Sequence, residues 1–315
     1  MRRSIIAVML AGFSVAAGAF PNGPISVVVP LAPGDAADIS ARTIGEEISK
    51  ILNVPVLAVN RPGAGGAVGA ASVAQARKDG QTILFPPNAA LTFRAVLEPQ
   101  VATYDALRDF TPLGISSRTP SVLVVRGDAP YRSFAELVDY AKKNPGKVRI
   151  GHPGPGSVGD FCIRLVNALT DAGLEPVPHA GAAPAVTALR GGHIEGVVLA
   201  LGALSQHIRS GAFRGLVTSS KVPDYTDIPT LRELGHNEDL FGIWFSFLAP
   251  AGIPDEARRQ LGAAVEQAVK SPAVAAKLAP LGIVQSYAGP EAMTAEIRDE
   301  LRRVAELARK TGLVK

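Results

Sequence analysis

The stretch Ile25-Ser-Val-Val-Val-Pro-Leu-Ala-Pro-Gly-Asp-Ala-Ala-Asp38 decides the fold. Its β-branched run is short and flanked by prolines, which predicts a buried parallel strand rather than a helix. Pro30, Pro33 and Gly34 break that strand into a loop. Asp38 then stands where an N-cap belongs, ahead of Ile39, Ala41, Ile44, Ile48 and Ile51 at helical spacing. Open α/β sheets bind ligands at such strand–loop–helix junctions. Unpaired N–H groups and the positive end of the helix dipole favour an anion there.

The same alternation continues outward. Val54 to Val59 reads as a second strand, followed by the loop Asn60-Arg-Pro-Gly-Ala-Gly-Gly66 and a helix near 68–76. Thr82-Ile-Leu-Phe85 is a third strand, ending in Pro86-Pro87-Asn88. Residues 93–115 read as irregular. Further strands are expected at 122–125, 148–150, 176–179, 194–201 and 214–218, with helices between them. Phe241 to Leu248 is apolar, and two amphipathic helices, 255–270 and 290–309, close the chain. The expected fold is α/β in two lobes, each a mainly parallel sheet flanked by helices, with a ligand in the cleft between them. The expected division is residues 1–19 as signal peptide, 20–122 with 242–315 as one lobe, and 123–241 as the other. A mature chain of about 300 residues commonly divides into two domains.

Met1-Arg2-Arg3, an apolar run from Ile5 to Phe13, and Ala17-Gly18-Ala19 have the form of a cleavable secretory signal peptide. The formal charge is +4, of which Arg2 and Arg3 contribute two, and aromatics make up 5% of residues. With no basic block and few aromatics to stack on bases, nucleic-acid binding is set aside. The single cysteine, Cys162, excludes an intrachain disulfide and a Cys-based metal site. The five histidines (152, 179, 193, 207 and 236) show no metal-ligand spacing. No cofactor is expected.

Three constellations bear on chemistry. Gly154-Pro-Gly156-Ser-Val-Gly159 matches G-x-G-x-x-G between a strand and a helix. Pro155 and the export signal argue against a dinucleotide, leaving a structural turn or an anion cradle of Gly156 and Ser157 amides. Ser157 with His152 or His179 as base, and Asp38 or Asp160 as orienter, would make an exported serine hydrolase, although Pro155 spoils the nucleophile elbow. Arg118, near the crossing between lobes, could hold a carboxylate by a two-pronged contact or stand as a solvated surface residue.

Taken together, these motifs resemble the receptors of tripartite tricarboxylate transporters, also called Bug proteins, over nearly all of residues 20–312. Pro33-Gly34 with Asp38 is similar to that family's P-x-x-P-G-G-x-x-D loop, and Asn60-Arg-Pro-Gly-Ala-Gly-Gly66 to its most recognisable motif. Asp79-Gly80, Leu107-Arg-Asp-Phe-Thr-Pro112, Asn144-Pro-Gly-Lys147, Gly156-Ser157, Asp227-Ile-Pro-Thr230 and Trp244 to Gly252 follow in the family's order.

The resemblance implies a periplasmic, non-catalytic receptor that closes on a small carboxylic acid and delivers it to integral membrane subunits. The receptor itself is expected to be a monomer. It implies a site formed by Leu31, Ala32, Gly34, Asp35, Ala36 and Asp38, by Pro87, Asn88 and Ala89, and by Gly156, Ser157, Val158 and His179. Leu199 and Ala200 are expected to border the cleft. Three departures stand out. Asp35 replaces the second Gly of the loop, so its side chain either turns outward or meets a cationic group on the ligand. His179 and Ala180 replace the usual Tyr and Lys. Leu199 and Ala200 replace a polar pair, which would suit an apolar moiety. A sensor for a membrane kinase would present the same sequence.

Overall fold

The computed structural model describes residues 20–314; the signal-peptide expectation lies outside them. The first part of the chain runs β1 (Ile25–Val29), α1 (Ala36–Leu52), β2 (Val56–Asn60), α2 (Ala67–Ala74), β3 (Thr82–Leu84), α3 (Asn88–Leu91), α4 (Phe93–Leu97) and β4 (Phe110–Thr119). It continues with β5 (Ser121–Arg126), α5 (Phe134–Lys143), β6 (Arg149–His152), α6 (Val158–Thr170), β7 (Glu175–Pro178), α7 (Ala182–Arg190), β8 (Gly196–Ala200), α8 (Leu201–Arg209) and β9 (Phe213–Thr218). The last part is β10 (Ile243–Pro250), α9 (Asp255–Val269), α10 (Pro272–Leu278), β11 (Val284–Ala288) and α11 (Pro290–Lys310).

The strands form two sheets, ordered β11-β4-β10-β3-β1-β2 and β7-β6-β8-β5-β9. Each contains the same three-strand unit. β1 pairs in parallel with β2 and β3, and β6 pairs in parallel with β7 and β8. The β-branched runs of β1 and β8 are covered on both faces, as parallel strands require. Beyond each unit the pairing is antiparallel: β10 with β3 and β4, and β5 with β8 and β9. The expectation of mainly parallel sheets is therefore corrected to mixed sheets. The chain passes directly from β4 into β5 through Pro120 and returns into β10, so these strands enter from the opposite end. Residues 93–115, read as irregular, contain α4 and the start of β4, the long strand between β10 and β11. Its polar Ser116 and Ser117 hid it, because both hydroxyls are buried and hydrogen-bonded.

The lobes are joined by more than two crossings. Phe93 of α4, Phe161 of α6 and Phe241 meet edge-to-face with ring centroids 5.2–5.3 Å apart. The helix α11 begins on the first sheet, burying Met293 and Ile297 beside Trp244 and Phe110. It ends in the core of the second, where Val304, Leu307 and Ala308 pack with Phe134, Leu137 and Val148.

Candidate functional site

The loops that follow β1, β6 and β7 lie at the C-terminal ends of parallel strands, where α/β sheets bind ligands. In the first lobe the cap of α1 is Asp35 rather than the expected Asp38. Asp35 Oδ1 accepts the Ala37 N–H at 3.1 Å. Burial pushes its carboxyl above the usual range, and nearby Asp38 adds to that. Asp38 sits one turn into the helix, 4% exposed. Its Oδ2 accepts Gly34 N–H at 2.9 Å, and its Oδ1 accepts Arg42 Nε at 3.0 Å and Asn60 Nδ2 at 2.8 Å. Burial pushes the Asp38 carboxyl up, but Arg42, Gly34 and Asn60 together outweigh it and hold it below the usual range. Asn60 also donates to Leu31 O at 3.1 Å, so the end of β2 braces the loop after β1. Leu31 and Ala36 are half-buried and Ala32 is exposed.

The second lobe repeats this geometry. Ser157 caps α6 through Asp160 N–H at 3.2 Å, and Asp160 Oδ2 accepts Gly156 N–H at 2.9 Å. The Gly34 and Gly156 amides, expected to bind ligand, are thus already taken by carboxylates of the protein. Carboxylate-to-amide bonds of this kind shape the loop. Val158 is buried at the first turn of α6. His179 is half-buried, its backbone N–H donating to His152 O at 2.9 Å.

Other expected residues turn elsewhere. Asn88 is fully buried and its Nδ2 donates to Glu300 Oε1 at 2.9 Å and Gly242 O at 3.2 Å, towards α11. Pro87 and Ala89 are buried with it. Leu199 is 2% exposed and packs with Val122, Ala185 and Leu204, so its side chain belongs to the sheet core; Ala200 at the strand end is half-buried. Even strand positions face one side and odd ones the other, which placed Leu199 inside. Arg118 does make a two-pronged carboxylate contact, but with Glu296 of α11, Nη1–Oε1 and Nη2–Oε2 both at 2.5 Å. Neither His152, whose Nδ1 lies 2.9 Å from Gly154 O, nor His179, whose Nδ1 lies 3.0 Å from Val177 O, bonds the Ser157 hydroxyl. Among the described residues no group of His, Cys, Asp and Glu is arranged to hold a metal ion.

Sequence reasoning missed Arg94. Its guanidinium is 2% exposed and lies between the two lobes. It pairs with Glu98 and donates to Pro155 O across the cleft, while its Nε is buried without a partner. A Cβ on Gly65 would overlap it, and one on Gly156 would come within 2.8 Å of its Cζ. The one sequence signal was an arginine inside the otherwise apolar Phe93-Arg-Ala-Val-Leu97.

Residues 40–313 match the model of the tripartite tricarboxylate transporter family receptor. The chain belongs to that family. This receptor is 32% identical over 301 residues to protein BugT of Bordetella pertussis, covering 95% of this chain and 92% of BugT. It is also 32% identical over 313 residues to a protein of the TAR-I ttuE-ttuC' intergenic region of Agrobacterium vitis, covering 98% and 90%. Among solved structures, the periplasmic binding protein BugD is similar with a TM-score of 0.86 at 29% identity, covering 93% of this receptor and 99% of BugD. MatC of Rhodopseudomonas palustris with bound malate has a TM-score of 0.84 at 29% identity, covering 91% and 99%. A further R. palustris protein with adipate has a TM-score of 0.85 at 27% identity, covering 93% and 98%. The family is one of periplasmic solute-binding proteins, and this receptor has its two-lobed α/β fold.

Proposed function

We propose that this receptor captures a small organic acid between its lobes in the periplasm and presents it to the integral membrane subunits of a tripartite transporter, acting as a monomer without catalysis. The observation that carries the reading is the repeated strand–loop–helix geometry at the N-termini of α1 and α6, with the loops held by Asp38 and Asp160. A carboxylate accepting amides in a desolvated cleft gains charge-assisted bonds of about 1.5–3 kcal/mol each. Two or three of these, less ordering costs, support micromolar binding, about −8 kcal/mol. The malate and adipate found in two similar structures fit that chemistry. The ligand bridges both lobes, and closure is favoured only by the contacts it adds there. Residues 20–122 with 242–315 and residues 123–241 are the moving bodies, turning about Pro120 and the Phe241–Gly242 crossing. Export by the N-terminal segment agrees with this role.

A thermal-shift screen of the mature protein against mono-, di- and tricarboxylates tests the reading. A hundredfold excess of a true ligand over its Kd adds about 2.7 kcal/mol of stability. Ser157→Asp places a fixed negative charge at the cap of α6 and abolishes the shift. Stabilisation by no acid, together with ester hydrolysis lost in Ser157→Ala, would replace the receptor with the hydrolase.

A further inference from the structure

The helix α11 holds both crossings between the lobes from one face. Glu296, Glu300 and Arg303 follow one another at i, i+4 and i+7 along it. Glu296 takes both Nη atoms of Arg118, which lies two residues before Pro120 in the outgoing crossing. The Arg303 guanidinium lies over Phe241 in the return crossing, its Cζ 4.9 Å from the ring centroid. Between these two, Glu300 reaches the return crossing through Asn88. Its Oε1 accepts Asn88 Nδ2 at 2.9 Å, and the same Nδ2 donates to Gly242 O at 3.2 Å. Oε1 also accepts Trp244 Nε1 at 3.3 Å, and Oε2 lies 2.7 Å from Thr92 Oγ1.

Ile297 anchors α11 in the core of the first lobe and Val304 anchors it in that of the second. A turn of one lobe against the other is absorbed between these two residues, where Glu300 stands, and alters its contacts with Asn88, Trp244 and Thr92. The charged groups around Glu300 are few. Arg118 of β4 is bound to Glu296, and Asp299 on the same helix is paired with Arg302. Arg303 is on Phe241, and the loop after β3 and the strand β10 offer only the neutral Asn88, Thr92 and Trp244. Burial pushes the Glu300 carboxyl up to about 7 against its three hydrogen-bond partners, and Glu296 adds to the rise. The lobes touch in this arrangement, Arg94 reaching Pro155 O, so contact between them goes with the neutral acid. An ionised carboxylate gains from any rotation that brings it water.

We propose that Glu300 is a proton-sensitive pivot of the hinge: protonated, it holds the lobes together, and ionised, it lets them part. This rests on the reading of two lobes that move about the crossings and adds proton control to that motion.

Trp244 is the only tryptophan of the chain, so its emission reports on the carboxyl it bonds. Titration of the ligand-free mature protein is expected to show a Trp244 transition near pH 7, with a larger radius of gyration in solution scattering on its alkaline side. Glu300→Gln is neutral throughout and is expected to lose the transition and keep the smaller radius. A wild-type radius that stays constant from about pH 6 to about pH 8 would overturn the inference, as would an equal expansion in Glu300→Gln. Should that variant not fold, the wild type decides: an expansion whose midpoint coincides with the Trp244 transition supports the pivot, and one that departs from it overturns it. None of these readings needs a ligand, so failure here leaves the receptor standing, to be judged by the carboxylate screen.

Discussion

Asp38 and Asp160 hold equivalent positions in two copies of one local structure. Each accepts the N–H of the glycine four residues before it, Gly34 or Gly156, at 2.9 Å. Each also accepts Nε of the arginine four residues after it, Arg42 at 3.0 Å or Arg164 at 2.7 Å. Both glycines have positive φ, 82° and 67°, which a side chain would strain. Both motifs follow the middle strand of a parallel three-strand unit, so the two lobes carry matching loops.

Asp38→Ala removes the acceptor shared by the Gly34 N–H, Arg42 and the half-buried Asn60 amide. A loss on the order of 2–3 kcal/mol in urea unfolding is expected, with ligand affinity falling as the loop relaxes. The wild type also carries a signature of this carboxylate in acid. Its folded pKa is below its unfolded value, so its contribution is present above about pH 4 and lost as pH falls through the folded pKa. Asp38→Asn should lose that acid-sensitive component; an identical acid transition in both proteins would remove Asp38 as its source.

Arg94→Ala removes the donor that reaches Pro155 O from the first lobe. The expected result is a more open ligand-free molecule, seen as a larger radius of gyration in solution scattering, and a stability loss of about 1–2 kcal/mol. Unchanged scattering would mean that the aromatic trio and α11 alone set the angle between lobes.

Glu300 predicts a pH dependence of opposite sign to that of Asp38. Burial pushes its carboxyl up to about 7, although Thr92, Asn88 and Trp244 all bond it. In its neutral form the acid can donate to Thr92 Oγ1, 2.7 Å away, whose own hydrogen goes to Asn88 O at 2.9 Å. Because the folded pKa lies above the unfolded one, stability from this group is greatest in acid and declines as pH rises from about 4.5 through about 7. Glu300→Gln keeps the acceptor for Asn88 and a donor for Thr92 without a charge. The variant is expected to gain stability relative to wild type at pH 8 over pH 5 by on the order of 2 kcal/mol. Parallel urea midpoints across that range would exclude this role.

Cys162 is fully buried in α6, and its thiol is pushed up to about 12 by burial. The thiolate is the reactive form, so the native protein should resist an aromatic disulfide reagent at pH 8 and react fully in guanidinium. Rapid labelling of the native state would show that the α6 core opens.

Features set by neighbours along the chain were legible in the sequence. The β-branched run of β1, the glycine loops after β1 and β6 and the helix spacing of α1 depend on contacts within a few residues. The cap of α1 was misplaced by one turn because Asp35 and Asp38 both suit that place, and only the loop geometry separates them. Tertiary structure decided what distant residues do with shared charges and cavities. Arg118 found Glu296, Asn88 found Glu300, and Arg94 found Pro155 across 61–212 residues of chain. Alternation along β8 hid Leu199 and left Ala200 at the edge. Such pairings come from packing two lobes and one long helix together, and a buried polar group takes whichever partner that packing brings within reach.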